Sequence, residues 1–256
     1  MIEGIIFDWA GTTVDYGCFA PVRAFREAFA HFGVPVTMEE TRAPMGMLKR
    51  DHIRAMMEMA RIAQAWEQVC GRAPTPLDVE SVYAQFEPKL FSILEGYAAP
   101  KPDVVETVAV LRDMGLKIGS TTGYTDRMMD LVAPRAAALG YAPDYWISPD
   151  GVGGFGRPYP YMIFENLKAL RISGVQNAVK VGDTVSDIQE GLAAGVWSVG
   201  VIEGSSALGL SQEEFEALPQ GDREEACART RQLFSDAGAH FVLQSIQELP
   251  ALLETL

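Results

Sequence analysis

Only three cysteines and three histidines stand in the 256 residues of this chain. Cys18, Cys70 and Cys227 are too few and too scattered for a disulfide framework or a zinc site. No apolar run approaches the ~20 residues that a bilayer-spanning helix needs. The N-terminus enters a strand pattern at once, with no basic leader or apolar signal segment, so a reducing, cytoplasmic setting is expected. Positive charge is also scarce: 21 Lys and Arg against 34 Asp and Glu leave a net charge of −13. That balance argues against nucleic acids and anionic membranes as partners. An anionic small-molecule ligand would need a local cation cluster or a metal to overcome it.

What is present is an ordinary globular composition, 48% hydrophobic, with enough length for one large domain or two. Gly4–Trp9 reads as a strand, and its apolar run Ile5–Phe7 has the character of a strand buried on both faces. From residue 19 to 99 no convincing strand occurs. Helices are predicted over Phe19–Phe32, from Pro44 to about Ala65, and over Leu77–Leu94. After Pro100 and Pro102 the pattern changes to alternating elements. Strands are expected at Leu116–Thr121, Tyr145–Ser148, Ala178–Val181, Val196–Val201 and Phe241–Leu243, with helices between them. That alternation predicts a parallel α/β sheet of Rossmann-like type. Because its first strand precedes the helical block, residues 19–99 are read as an all-helical insertion into a core made of 1–18 and 100–256. Residues 203–236 suggest no role.

Three strand ends carry chemistry. Asp8 closes the first strand, and a lone carboxylate there suits a nucleophile or a metal ligand as well as a capping turn residue. Thr121-Thr122-Gly123 precedes a helix that Thr125 is placed to cap, where backbone N–H groups can hold an anion. Asp183 and Asp187 flank a strand-to-helix junction, a pairing that suits Mg²⁺ and equally a capped helix start. Between them Arg157 sits in Gly156-Arg157-Pro158-Tyr159-Pro160, able to offset phosphoryl charge or simply to occupy a surface turn.

In the insertion, Met45, Lys49, His52 and Met56 are spaced to share one helix face. Lys49 falls in an early turn, with Arg42, Arg50 and Arg54 nearby in sequence. A positive helix end and like charges lower an amine pKa, which favours a Schiff-base lysine. A solvated basic face is the alternative.

Asp8, Thr122, Asp183 and Asp187, with the insertion after the first strand, resemble the motifs of the haloacid dehalogenase superfamily over the whole chain. The resemblance is closer still to its phosphonatase branch, through Phe7-Asp8-Trp9-Ala10-Gly11-Thr12-Thr13, through Met45-Gly46 with Lys49 and His52, and through the Arg157 loop. Phosphatases of the superfamily carry a second aspartate two residues after the first, where this chain has Ala10. Their usual third-motif lysine appears as Arg157 here. The resemblance implies a helical cap that closes over the core by hinging at Phe19 and Ala99–Lys101, and P–C bond cleavage in a phosphonate aldehyde. It assigns Asp8 as nucleophile and Lys49 as the imine-forming amine. Mg²⁺ would be held by Asp8, the Ala10 carbonyl and Asp183, with Asp187 behind them. Thr122, Gly123 and Arg157 would hold the phosphoryl group, and His52, Tyr124, Cys18 and Met45 would tune Lys49 or shape the pocket. It also implies a homodimer. The alternatives are a dehalogenase or phosphatase of the same superfamily and, more remotely, a non-catalytic phosphate sensor.

Overall fold

Six parallel strands build the sheet at the centre of the computed structural model, which describes residues 1–256. They are β1 (Gly4–Phe7), β2 (Lys117–Thr121), β3 (Tyr145–Ile147), β4 (Ala178–Gly182), β5 (Trp197–Val201) and β6 (Phe241–Leu243). Their spatial order is β3-β2-β1-β4-β5-β6. All six coincide with predicted strands to within two residues at either end. β1 and β4 are buried at every position, as inner strands covered on both faces should be.

The topology decides where a ligand can sit. The chain runs from β1 outward through β2 and β3, then returns to lay β4 on the other side of β1. Such a reversal opens a crevice at the carboxyl ends of the two central strands. Phe7 pairs with Val181, so Asp8 and Asp183 emerge side by side at that crevice.

From residue 19 to 94, after β1, the chain forms five helices: α1 (Phe19–His31), α2 (Met38–Arg42), α3 (Lys49–Glu58), α4 (Ala60–Cys70) and α5 (Pro76–Leu94). α1 and α3 pack on α5, where the Phe25 and Phe86 rings stack 4.2 Å apart. The core helices follow as α6 (Val104–Asp113), α7 (Asp126–Ala138), α8 (Tyr161–Ala169), α9 (Val185–Ala194), α10 (Gln212–Ala217), α11 (Gln220–Asp236) and α12 (Leu249–Leu253). Thr125 Oγ1 accepts from Met128 N at the start of α7, as expected of an N-cap. No helix is long and apolar enough to cross a membrane, and all three cysteines are free.

The helix predicted from Pro44 to about Ala65 is instead a loop and two helices. Pro44 to Leu48 form the loop, with Gly46 in the left-handed region at φ +91°. The chain breaks again at Met59, whose ψ of 129° is extended. In a continuous helix, at about 100° per residue, Ile62 and Trp66 would lie opposite Ile53, Met56 and Met57. Breaking at Met59 lets both apolar sets be buried. Met45 therefore lies in a loop, so it does not share a helix face with Lys49, His52 and Met56.

Candidate active site

The crevice between β1 and β4 collects charge of both signs. Asp8 follows β1, and its backbone N–H donates to the Val181 carbonyl at 2.9 Å. Asp183, fully buried after β4, accepts from Thr12 Oγ1 at 2.7 Å and from the Ser206 N–H at 2.8 Å. Asp187 lies in the first turn of α9. There Thr184 caps the helix, receiving the Asp187 N–H and donating its hydroxyl to Asp187 Oδ2 at 2.6 Å. The helix-start explanation thus holds for Asp187, with Thr184 rather than Asp183 as its cap.

Arg157 reaches this cluster from the loop before α8 and is no surface residue, since only 4% of it is exposed. Its Nη2 donates to Asp8 Oδ1 at 2.5 Å and to Thr121 Oγ1 at 2.8 Å, and its Nε donates to Glu190 Oε2 at 3.0 Å. Its Nη1 lies 3.0 Å from Asp187 Oδ1. Burial opposes the guanidinium charge, but Asp187, Asp8 and Glu190 together hold its pKa well above the ordinary value.

Two members of the cluster escaped the sequence reading. Lys180, on β4 and fully buried, places Nζ 2.9 Å from Asp187 Oδ1 and 3.3 Å from Glu190 Oε2. Glu190, fully buried on α9, joins Lys180 to Arg157. A signal for both existed. A lysine between Val179 and Val181 in an inner strand needs a buried acid as partner, and Glu190 follows Asp187 by three residues on the sheet-facing side of α9.

Carboxylate oxygens of Asp8, Asp183 and Asp187 lie within 4.8 Å of one another. Burial pushes the Asp183 carboxyl well above its ordinary pKa, and the Asp8 and Asp187 charges add to the shift. Asp187 goes the other way: burial opposes its charge, but Arg157 and Lys180 hold its pKa low. The cluster therefore sets four buried carboxylates against two buried cations. With all four ionised the cluster would carry an excess of two negative charges, which together with the hard oxygen donors fits a divalent cation such as Mg²⁺.

Lys49 comes to the same place from the helical block. It is the first residue of α3 and only 3% exposed. Asp8, Ala10, Cys18, Met45, Lys49, Thr122, Gly123, Tyr124 and Arg157 all line one cavity. Its volume of about 20 Å³ leaves room for a water molecule but for nothing much larger. Burial lowers the Lys49 pKa, and the like charge that adds to this effect comes from Arg157. The expected sources lie elsewhere: Arg50 pairs with Glu80, Arg54 with Asp51, and Arg42 with the Gly17 carbonyl. Burial also pushes the Cys18 thiol and the Tyr124 phenol well above their ordinary values, which keeps both neutral. His52 does not line the cavity. It stacks on Phe25 with ring centroids 4.0 Å apart, and its Nε2 bonds the Thr41 carbonyl at 2.9 Å, so it buttresses α3 from behind.

The two halves meet backbone to backbone. A Cβ at Gly123 would fall 2.9 Å from the carbonyl oxygens of both Gly46 and Met47. Glycine is what permits that approach. A larger cavity, about 920 Å³, lies beside Asp15, Lys101 and α10 and does not include Asp8.

A parallel sheet with an acid at the end of β1, a helical block inserted after it and paired acids after β4 defines a hydrolase class. The chain belongs to the haloacid dehalogenase-like hydrolases, whose family model matches residues 2–195. Within that class, it is 53% identical to the phosphonoacetaldehyde hydrolase of Bacillus cytotoxicus over 99% of this chain and 96% of that protein. It is also 53% identical, over 98% of its length, to a bifunctional phosphonoacetaldehyde hydrolase/aminoethylphosphonate transaminase of Clostridioides difficile, but spans only 40% of that longer protein. Among solved structures, a phosphonoacetaldehyde hydrolase-like protein of Oleispira antarctica superposes with a TM-score of 0.96 at 36% identity, covering 99% of this chain and 92% of that one.

Proposed function

We propose that this protein hydrolyses phosphonoacetaldehyde to acetaldehyde and phosphate, with Lys49 and Asp8 dividing the work. The observation that carries this reading is their shared cavity: a buried amine from the helical block and a strand-end carboxylate from the core line it together. The names of the nearly full-length relatives support the substrate.

In this reading the Lys49 amine adds to the aldehyde carbon, and loss of water leaves a protonated imine. Asp8 then attacks phosphorus. The P–C bonding pair moves into the carbon chain and neutralises the iminium nitrogen, so an enamine leaves in place of a free carbanion. Water hydrolyses the aspartyl-phosphate, releasing phosphate and restoring Asp8. Protonation of the enamine carbon regenerates an imine, and a second water releases acetaldehyde and Lys49. One water formed at the first step offsets one consumed at the last, so the net reaction uses one water.

Arg157, Thr122 and the Gly123 N–H are assigned to the phosphoryl oxygens. A Mg²⁺ held by Asp8, Asp183 and the Ala10 carbonyl would offset phosphoryl charge, with Asp187 supporting the set. Cys18, Tyr124 and Met45 surround the Lys49 amine with uncharged groups, which favours its neutral, attacking form.

The small cavity means that the helical block must move to admit substrate, so we assign residues 19–99 as a mobile cap on a core of 1–18 and 100–256. Two features frame the proposed hinges. The Asp15 carboxylate receives the N–H groups of Phe19 and Ala20, and Lys101 Nζ donates to the carbonyls of Gly11 and Glu203. A cytoplasmic homodimer belongs to the same reading, and sedimentation velocity distinguishes it from a monomer.

The direct test is incubation with phosphonoacetaldehyde and Mg²⁺, assaying acetaldehyde and phosphate separately. Equal release of the two supports the assignment, and no release from folded protein rejects it.

A further inference from the structure

We infer that Glu190 and Lys180 are positioning residues that act through Arg157 and Asp187. The inference rests on the reading of Arg157 as the holder of the phosphoryl group, and its centre is the Thr121 hydroxyl. Arg157 Nη2 donates to Thr121 Oγ1 at 2.8 Å and Lys180 Nζ at 2.9 Å, while Thr121 Oγ1 donates to Glu190 Oε2 at 3.0 Å. A hydroxyl has one proton to give and two lone pairs to offer. All three are used, which fixes the direction of each bond.

Glu190 Oε2 receives the Arg157 Nε as well as the Thr121 proton. Arg157 is thus gripped along one edge by Glu190 and Thr121, and this aims Nη2 at Asp8 Oδ1. Lys180 plays the complementary part, lying between Asp187 and Glu190 and holding both carboxylates in place. Neither Lys180 nor Glu190 lines the cavity, so neither needs to touch the substrate. A guanidinium held by one carboxylate edge keeps its fork direction when the Asp8 contact is replaced by a phosphoryl oxygen.

The test is a double-mutant cycle of Glu190→Gln with Arg157→Lys, read by calorimetric titration of inorganic phosphate with Mg²⁺ present and by phosphate release from phosphonoacetaldehyde. Glu190→Gln keeps the shape and removes the charge. It is expected to weaken phosphate binding and lower kcat by about 10–100-fold. In the Arg157→Lys background, where the fork is already gone, the same change is expected to cost less than threefold. Losses that multiply in the double variant, or a folded Glu190→Gln protein with unchanged phosphate affinity, would overturn the inference. If Glu190→Gln fails to fold, Thr121→Val removes the bridging hydroxyl at near-constant volume and is expected to show the same non-additivity with Arg157→Lys. The titration keeps two failures apart. Wild-type protein that binds phosphate through Arg157 but leaves phosphonoacetaldehyde intact removes the proposed substrate, and the positioning roles still stand or fall by the cycle.

Discussion

The Lys49 Nζ lies 5.0 Å from the centroid of the Tyr124 ring, so a side chain of the inserted helices rests on one from the β2–α7 junction. In the proposed reading, contact between these two residues marks the closed position of the cap. Everything proposed for catalysis depends on that closure, because Lys49 and Asp8 share a cavity only while the halves are together.

The glycine contact makes closure testable. Gly123→Ala puts a methyl group 2.9 Å from two cap carbonyls, so the cap is expected to stand slightly open. We predict a fall in kcat/KM of about 10–100-fold with the core still folded, accompanied by faster proteolysis within residues 38–48. Unchanged kcat/KM would show that closure is not this tight during turnover.

Burial sets the pH dependence. Attack on the aldehyde needs neutral Lys49, and burial lowers its pKa. Lowering the pKa of a base that must be unprotonated moves the rising limb of the kcat/KM profile to lower pH. That limb is expected below the ordinary lysine value of about 10.4. A rise centred near the ordinary value would mean that the amine is hydrated when it reacts.

The carboxylate cluster predicts metal linkage independent of turnover. With Mg²⁺ at about 100 times its Kd, the folded state gains about 2.7 kcal/mol, an increase in Tm of about 5–10 °C for a chain of this size. Asp183→Asn should largely abolish that increase, and EDTA should stop phosphate release. An Asp183→Asn protein with the full Mg²⁺-dependent shift would move the metal site elsewhere.

Much of this was legible in the sequence because the inner strands announce themselves. Ile5–Phe7 is short, apolar and followed directly by Asp8, and the mainly apolar run ending at Val181 is followed after Gly182 by Asp183, so both the sheet and the place of the two acids could be read. The Lys49 neighbourhood was less legible. Proximity in sequence suggested Arg42, Arg50 and Arg54 as its electrostatic partners, but their pairing with Gly17, Glu80 and Asp51 is a tertiary matter. The break at Met59 was hidden because α3 and α4 each satisfy helical periodicity, and only burial of both apolar faces separates them. Lys180 and Glu190 were missed for a related reason. Each reads locally as the polar member of an ordinary pattern, and their value lies in partners 59 and 33 residues away, Thr121 and Arg157.

The central claim is that Lys49 carries the substrate covalently while Asp8 takes the phosphoryl group. Borohydride reduction in the presence of phosphonoacetaldehyde, followed by mass mapping of the modified peptide, tests it most directly. The account predicts a reduced adduct on Lys49 and matching loss of activity, with no adduct in Lys49→Arg. Protein that releases phosphate from the substrate at full rate under these conditions, yet carries no adduct on Lys49, would contradict it.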